Sequence, residues 1–268
     1  MTDIRINKSS FSNVWSMPEL HSHDSHELYF LLSGMRRHFI EDSIYDLSTN
    51  EIVLIPKNTL HRTLALSLEN HERYVVNFND EAVHTLSERI GEETFSILMN
   101  SRCLTLTAKA AERIRRNLEY LDEERIYPNV YSSAMGVQLL ENILLLVLQH
   151  GTPKAPVSEK SISRMQEVAH YINENLADVT LKEAAAFAHM ETTYFSKCFK
   201  AATGEGFLEY LTKVRLRKSE QLLEHSNLSV GAIAEACGFS TGKYFSDVFR
   251  RKKGCSPVQY RKAIRKDK

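Results

Sequence analysis

The feature that most constrains the fold of this chain is a repeat in its C-terminal part. Eight residues between positions 181 and 210 recur identically 50 residues later. The identical pairs are Ala184 and Ala234, Ala186 and Ala236, Tyr194 and Tyr244, Phe195 and Phe245, Ser196 and Ser246, Phe199 and Phe249, Gly204 and Gly254, and Tyr210 and Tyr260. Such self-similarity indicates one structural unit used twice. Because the apolar residues after position 160 have helical spacing, the sequence predicts an all-α domain over residues 160–268.

Each copy carries the signals of two short helices joined by a tight turn. In the first copy, Thr180 and Glu183 have the spacing of a capping box. In the second, Ser229 and Ser240 are expected to cap the two helices, and Gly238 suits a left-handed turn between them. The sequence therefore predicts helix-turn-helix units at about 180–203 and 229–253, joined by a long helix at 207–225.

The second helix of each copy has one apolar face and one polar face. Its phenylalanines are four residues apart and are expected to point into the core. The residues left outside are Thr192, Thr193, Ser196, Lys197 and Lys200 in the first copy, and Thr241, Gly242, Lys243, Ser246, Asp247 and Arg250 in the second. A helix of this kind fits the major groove of DNA, where polar side chains meet base edges. For a single copy, a merely solvated helical hairpin is the alternative.

The distribution of charge favours DNA over that alternative. The chain has no net charge, yet residues 1–158 hold 15 Lys/Arg and 21 Asp/Glu, whereas residues 159–268 hold 19 and 13. Residues 243–268 alone contain 10 Lys/Arg and 2 Asp. Such one-sided charge is typical of a surface that meets a polyanion. The basic residues expected to contact phosphates are Lys200, Arg250, Arg251, Lys252, Lys253 and Arg261.

The N-terminal half has a different pattern. Between positions 28 and 79, short runs rich in Tyr, Phe, Ile and Val are broken by turn signals, which predicts a small β-barrel or sandwich. We place this barrel at residues 1–105, a helical segment at 106–152 and a linker at 153–159. Within the helical segment, the apolar run Ile143–Leu148 must be covered on more than one side. Packing against the barrel and a dimer interface both remain open, and they are compatible.

The remaining signals concern the compartment. The four cysteines are scattered without CxxC spacing, so we expect neither a disulfide framework nor a cysteine metal site. The first residues contain no apolar segment typical of a signal peptide. The longest unbroken apolar run is too short to span a bilayer. We therefore expect a cytoplasmic protein that does not enter a membrane.

The C-terminal sequence resembles the DNA-binding domain of the AraC/XylS family of bacterial transcription regulators. The segment from Ile233 to Lys262 carries the defining motif, including Gly238, Phe239, Pro257 and Tyr260, and Arg215–Leu223 resembles the family's linker helix. The resemblance implies two helices in successive major grooves. It implies these base-facing residues: Thr192, Thr193, Ser196, Lys197, Gly242, Lys243, Ser246 and Asp247. Two positions depart from the pattern, since Glu191 stands where Ser or Thr usually caps and Asp247 where a basic residue is common.

The N-terminal half resembles the cupin-type sensor that often precedes this domain. The spacing of His21, His23, Glu27 and His61 matches that of metal-binding cupins, although Asn50 and Asn58 stand where cupins usually carry Gly. We expect no resident metal or cofactor, and interpret these residues as effector contacts; a metal site at these four positions is the alternative. The expected effector residues are His21, His23, Glu27, Tyr29, Arg37 and His61. Their chemistry suits a polyol such as a sugar.

The resemblance implies a DNA-binding transcription regulator, not an enzyme. We predict that it binds promoter DNA, senses a small molecule, forms a homodimer and activates transcription by contact with RNA polymerase. One alternative is a constitutive DNA-binding regulator whose barrel only dimerises. The other is a metal-dependent cupin enzyme with a DNA-binding tail.

Overall fold

The computed structural model divides into two compact units, Met1–Glu159 and Lys160–Lys268. It describes residues 3–11, 17, 20–66, 70–157 and 160–266, without the side chains of 160–163, 265 and 266. The two units match the predicted fold class, a cupin-like β domain with helices followed by an all-α domain, which is confirmed. Each unit is described by itself below.

The N-terminal unit is built on two antiparallel sheets. Its strands are β1 (Ile4–Phe11), β2 (His26–Ser33), β3 (Arg36–Ile40), β4 (Ser43–Leu47), β5 (Glu51–Ile55), β6 (His61–Ala65), β7 (His71–Phe78), β8 (Cys103–Leu106) and β9 (Gly151–Pro153). The larger sheet has the order β1-β7-β2-β5-β8-β9 and the smaller one the order β4-β3-β6. Asn50 and Asn58 adopt positive φ angles of 68° and 60°. Asparagine tolerates this left-handed conformation, which explains how it replaces the expected glycine.

The larger sheet buries both of its faces because side chains alternate along each strand. On β2, Leu28 and Phe30 join a core shared with the helices. Between them, Tyr29 and Leu31 belong to a second cluster with residues of β3, β4 and β5. This second cluster is the barrel interior, toward which the polar residues of the candidate sensor site also point.

Four helices cover the outer face of the larger sheet. They are α1 (Asp80–Ile90), α2 (Glu92–Asn100), α3 (Ala108–Ile126) and α4 (Ser132–His150). The apolar residues of α3 that are spaced three and four apart, including Ile114 and Leu118, are buried in this core. Helix α4 is 19 residues long and apolar enough to span a membrane by length and composition. Its Leu140, Ile143 and Leu144 are instead packed in the core of the unit, which accounts for the apolar character.

The segment predicted as a linker at 153–159 is bound to the N-terminal unit over its described part. Strand β9 pairs with β8, so Pro153 lies opposite Leu104. The Lys154 ammonium group lies 2.6 Å from the Glu51 carboxylate, and the amide of Val157 donates to the carbonyl of Ile44. Residues 158 and 159 lie outside the described part. The described part of the predicted linker is thus held to the N-terminal unit by strand pairing, an ion pair and a backbone hydrogen bond.

The C-terminal unit contains only helices in its described residues. They are α5 (Lys160–Glu174), α6 (Leu181–Phe187), α7 (Thr192–Thr203), α8 (Phe207–His225), α9 (Val230–Ala236), α10 (Gly242–Lys253) and α11 (Pro257–Lys266). Helix α8 joins the two copies. Its first turns pack Phe207 and Tyr210 against Phe199 of α7. Its later residues Leu216 and Leu223 share a core with α9 and α10.

The two copies differ by one residue in the turn. Their first helices are capped by Thr180 and Ser229, 49 residues apart, whereas the second helices are capped by Glu191 and Thr241, 50 residues apart. The single shift of 50 therefore aligns α7 with α10 correctly but misaligns the alanines of α6 and α9 by one position. Ala185, and not Ala184, is the counterpart of the buried Ala234. The extra residue lies in the turn of the second copy.

Candidate DNA-binding surface and sensor pocket

The N-terminus of α7 is capped by the residue that departed from the expected pattern. The Glu191 carboxylate accepts hydrogen bonds from the amides of Thr193 and Tyr194, at 2.8 and 3.1 Å. These backbone hydrogen bonds lower the pKa of Glu191. A carboxylate also interacts favourably with the positive end of the helix dipole. Glutamate thus caps the helix N-terminus at this position, as Ser or Thr usually does.

Helix α10 begins one residue later than predicted. The Thr241 hydroxyl accepts from the amide of Tyr244 at 3.1 Å, so Thr241 is the N-cap, and the prediction that Ser240 caps this helix was wrong. Gly238 is in the left-handed conformation, with φ of 75°, as predicted. Although the two turns differ in length, α7 and α10 each have a fully buried phenylalanine pair.

The predicted base-facing residues form the outer face of both helices. Thr193, Lys197, Lys243 and Asp247 are exposed, and Thr192 and Gly242 are half-buried. Ser196 and Ser246 are also half-buried, and each donates its hydroxyl hydrogen to the carbonyl four residues earlier, at 2.9 Å. Their hydroxyl protons are used within the helix, so these serines present acceptor lone pairs to a partner.

The sequence analysis did not single out two aromatic residues of this face. Tyr194 is 60% exposed and Tyr244 is 52% exposed, at equivalent positions of α7 and α10. An exposed tyrosine offers both a ring and a hydroxyl to a nucleic acid. The signal was available, because both tyrosines belong to the repeated identities and lie next to a buried phenylalanine on a helix whose outer face is otherwise polar.

Five of the six predicted phosphate-contacting residues are exposed: Lys200, Arg250, Arg251, Lys252 and Lys253. Lys253 and the half-buried Arg261 also have partners within the protein. The ammonium group of Lys253 lies 2.8 Å from the Glu220 carboxylate on α8. Arg261 donates to the carbonyl of Leu228 at 2.7 Å. These partners connect α10 and α11 to the rest of the unit, and the phosphate contacts of Lys253 and Arg261 stay predictions.

In the N-terminal unit, His61 lies beside two histidines that are about 40 positions earlier in the sequence, His21 and His23. Ligand nitrogens of His21, His23 and His61 lie within 4.8 Å of one another. Backbone hydrogen bonds in both directions, at 3.1 and 2.9 Å, hold His21 against His61. The carboxylate of Glu27 lies 3.2 Å from Nε2 of His23 and 3.9 Å from Nε2 of His61. The four residues singled out by their spacing thus form a single cluster, the histidine cluster.

Burial and charge set the protonation of the histidine cluster. Burial by itself would raise the pKa of Glu27, but the hydrogen bond from His23 and the nearby histidine charges lower it to about 2. Burial would lower the pKa of His23, but the hydrogen bond and charge of Glu27 raise it. Burial lowers the pKa of His61 despite the same carboxylate. Glu27 is therefore a carboxylate at neutral pH, paired with His23.

Of the two arginines on β3, Arg36 and not Arg37 points into the barrel interior. Arg37 forms a bidentate pair with Asp46 on β4, at 2.6 Å for each bond, and does not reach the barrel interior. Its neighbours Arg36 and His38 are 1% and 0% exposed. The assignment of Arg37 to the effector pocket was wrong, because strand alternation places Arg36 and His38 on the inner face.

The barrel interior is filled by its own side chains. Tyr29 is fully buried, with its ring 4.4 Å from that of His38 and 5.1 Å from the Arg73 guanidinium. A pocket of about 410 Å³ lies beside the histidine cluster and is open to His23. It is lined by Asp3, Arg5, His23, Asp24, Ser25, Asn77 and Asn79. Of the six predicted effector residues, His23 lines this pocket, and the other lining residues were missed because they come from β1, β7 and a loop.

Two family models match this chain. The model described as an AraC-like ligand binding domain matches residues 12–155. The model described as a helix-turn-helix domain matches residues 184–263. Together they cover the histidine cluster and both helices of the candidate DNA-binding surface.

Comparison with curated proteins gives regulators of the same kind. The uncharacterized HTH-type transcriptional regulator YisR of Bacillus subtilis is 28% identical over 155 residues, which are 58% of this chain and 51% of YisR. The HTH-type transcriptional activator RhaR of Mannheimia succiniciproducens is 26% identical over 258 residues, which are 90% of this chain and 86% of RhaR. The chain therefore spans about half the length of one relative and most of the other. Both are named as regulators, not as enzymes.

Among solved structures, the DNA-binding domain of AdpA, a global transcriptional factor crystallised with a target DNA, is 34% identical in sequence. The match covers 38% of this chain and 93% of that domain, with a TM-score of 0.37.

Proposed function

The chain belongs to the AraC family of transcription regulators, and from this premise we propose that it is a cytoplasmic, homodimeric activator controlled by a small polyol. DNA binding and a ligand-binding domain follow from the two family matches. The observation that carries the proposal is the pair of equivalent helices, α7 and α10, which expose polar faces over buried phenylalanine pairs.

We assign base contacts to the exposed faces of the two helices. Lys197 and Lys243 can donate to the acceptors of guanine, and Asp247 can accept from the cytosine amino group. The exposed rings of Tyr194 and Tyr244 add apolar contacts beside them. Lys200, Arg250, Arg251 and Lys252 supply phosphate contacts, which position the helices without reading sequence.

We place the effector in the open pocket beside the histidine cluster. Two aspartates, two asparagines and an arginine line it. Side chains of this kind donate to and accept from hydroxyl groups, as a polyol requires. Binding there can change DNA affinity only if the effector binds the DNA-competent state more tightly than the other state.

A panel of sugars and polyols tests this assignment through the affinity for a selected DNA site. We expect at least one compound to change that affinity by roughly 5- to 150-fold, the usual range of coupling between sites. In Asp24→Asn, the effector concentration needed should rise at least about tenfold, equal to one lost hydrogen bond to a charged group. Fluorescence anisotropy of labelled DNA measures both quantities.

The matched control for this experiment is Glu81→Gln, which removes an exposed carboxylate of α1 that does not line the pocket. It should leave the effector response unchanged. Constant DNA affinity across the whole panel would contradict effector control and favour the constitutive regulator.

We propose that α3 and α4 form the dimer interface. Their outer faces expose Tyr120, Met135, Leu145 and Leu148, which are 56, 41, 40 and 38% exposed. On α4, Leu145 and Leu148 are three residues apart and therefore lie on the same side of the helix. An apolar stripe on a packed helical pair is typical of a protein interface.

The dimer is tested by the substitution Leu145→Glu. A charge at the centre of an apolar interface should shift the chain from dimer to monomer and raise the dissociation constant at least about a hundredfold, since an unpaired buried charge costs several kcal/mol. Sedimentation equilibrium measures the shift. Ile97→Glu on α2, also an exposed apolar residue, is the control and should leave the dimer intact. Equal behaviour of both variants would contradict this interface.

The sign of regulation is proposed from the relatives. RhaR of Mannheimia succiniciproducens is named a transcriptional activator. By analogy, we propose that this chain raises transcription through contact with RNA polymerase. Transcription in vitro from a promoter carrying the selected site measures this directly, and a decrease on adding the chain would identify a repressor.

A further inference from the structure

We propose that Arg215 determines which spacing between two DNA elements the chain can bind, because it fixes the second helix-turn-helix copy against the first. This inference rests on the proposed function, in which α7 and α10 each read one element of a single DNA site. Arg215 lies on α8 and is not among the residues to which we assign base or phosphate contacts. It acts through the helices that make those contacts, as a positioning residue.

The spacing that the chain accepts depends on how firmly the two copies are held together. Helix α8 packs against α7 of the first copy and against α9 and α11 of the second. The crossing angle of two packed helices varies by roughly 15–20°. One added base pair rotates a DNA element by roughly 35° about the DNA axis, since one turn takes about 10 base pairs. Helix packing alone would absorb a large part of this rotation, so strict spacing needs a further contact between the copies.

The side chain of Arg215 makes such a contact with the first copy. Its Nε donates to the carbonyl of Leu176 and its Nη2 to the carbonyl of Ala177, each at 3.0 Å. These two carbonyls lie in the turn between α5 and α6, 39 and 38 positions before Arg215. Because the guanidinium is a rigid planar fork, two hydrogen bonds from it fix its orientation as well as its position.

The turn of the second copy lies directly on this contact. A Cβ atom built on Gly238 would lie 2.3 Å from the carbonyl oxygen of Ala177 and 2.7 Å from Nη2 of Arg215. The backbone of the turn between α9 and α10 therefore touches both partners of one hydrogen bond. One residue of each copy thus meets α8 at a single place, the Arg215 junction, which consists of Ala177, Arg215 and Gly238.

The equivalent turn of the first copy indicates that the glycine serves this close approach. His189 corresponds to Gly238 at the shift of 49 residues that relates α6 to α9, and it has a positive φ of 54°. Histidine is among the residues that tolerate the left-handed conformation. The backbone conformation alone therefore does not require glycine at position 238. The space taken by Ala177 and Arg215 does require it.

Ionisable groups of both copies interact with the guanidinium of the junction. Burial lowers the pKa of Arg215, and three groups raise it: Cys237, Asp178 and Tyr244. Asp178 lies in the turn between α5 and α6, Cys237 ends α9, and Tyr244 lies in the first turn of α10. The Arg215 junction is therefore close to the start of α10, the helix whose orientation on DNA it sets.

The test measures the affinity of the full chain for three duplexes. One duplex carries the two elements at the spacing selected from random DNA, and in the others one base pair is inserted or removed between the elements. The unchanged chain should prefer the selected spacing at least about a hundredfold, because displacing an element disrupts several base contacts and each mismatch costs roughly 5- to 150-fold. Fluorescence anisotropy of labelled duplexes measures the three dissociation constants.

Two variants remove the fork in different ways. Arg215→Gln loses the charge, whereas Arg215→Lys keeps the charge but has no planar fork for the two carbonyls. In both, the preference for the selected spacing should fall at least about tenfold, the effect of one lost hydrogen bond to a charged group. A general loss of stability would weaken binding to all three duplexes alike and leave this ratio unchanged. Circular dichroism verifies folding, and if neither variant folds, the inference is overturned because Arg215 is then needed for the fold itself.

The matched control is Lys218→Gln, which removes the same charge from an exposed position of α8. It should keep the spacing preference of the unchanged chain. The inference is overturned if either folded Arg215 variant keeps that preference, if Lys218→Gln loses it equally, or if the unchanged chain binds all three spacings alike. Each of these results leaves recognition of the two elements intact. Failure of the unchanged chain to select any DNA sequence would instead contradict the proposed function.

Discussion

Replacing Gly238 by alanine should destabilise the C-terminal unit by roughly 3–5 kcal/mol, combining left-handed strain and overpacking. Gly238 has φ of 75°, a conformation that L-residues with a side chain rarely adopt. A Cβ atom built there would lie 2.3 Å from the carbonyl oxygen of Ala177 and 2.7 Å from a guanidinium nitrogen of Arg215. That same carbonyl accepts a hydrogen bond from Arg215 at 3.0 Å. The new methyl group must therefore displace the backbone and break this bond.

Substitutions at two other glycines distinguish the cost of backbone strain from the cost of steric collision. Gly254 has nearly the same φ, 76°, but nothing lies within 4 Å of its virtual Cβ, so Gly254→Ala should cost only about 1–2 kcal/mol. Gly231 lies inside helix α9, where alanine is favoured by up to about 1 kcal/mol. Chemical denaturation of all three variants measures the series. Equal losses for Gly238→Ala and Gly254→Ala would contradict the collision with Ala177.

Removing the exposed charges of Arg250, Arg251 and Lys252 together should cause the largest loss of DNA affinity. If each contacts one phosphate, the triple alanine variant should reduce the slope of log K against log salt by roughly 2–3. At physiological ionic strength this slope corresponds to roughly a hundredfold weaker binding, for specific and nonspecific duplexes alike. Anisotropy titrations at several salt concentrations measure both quantities.

The control for this experiment changes the net charge by the same amount elsewhere. Lys8, Lys57 and Lys109 are exposed residues of the N-terminal unit. Their triple alanine variant should keep the slope of the unchanged chain. If both triple variants lose affinity equally, the effect comes from overall charge, and the predicted phosphate contacts at the end of α10 are contradicted. Lys253 is left intact in both, because it pairs with Glu220.

Local signals in the sequence predicted the elements that carry the DNA-binding surface. Phenylalanines four residues apart and capping residues depend on neighbours within one or two turns, so Phe195, Phe199, Thr180 and Ser229 behave as expected. The extra residue in the second turn was missed, because identical residues alone do not show where a repeat gains a residue. Glutamate is uncommon as a helix N-cap, but the Glu191 carboxylate accepts amide hydrogen bonds as a Ser or Thr hydroxyl does.

Contacts between parts of the chain that are distant in sequence could not be predicted. The partners of Lys253 and Arg261 are Glu220 and the Leu228 carbonyl, more than 30 positions away. The orientation of Arg37 could have been predicted from the sequence. A two-residue turn after Ile40 places Arg37 directly opposite Asp46, and this pairing predicts that Arg37 points outward. The spacing of the four residues predicted that they form one cluster. The backbone bridge that holds His21 beside His61 could not be predicted, because no local pattern shows it.

The central claim is that α7 and α10 read two separate parts of one DNA site. Selection from a pool of random duplexes, with the full chain and with Lys197→Ala and Lys243→Ala, tests it most directly. We expect the unchanged chain to enrich two short elements about 10 base pairs apart, one helical turn of DNA. Lys197→Ala should relax one element only, and Lys243→Ala the other. Enrichment of no sequence, or relaxation of the same element by both variants, would contradict the claim.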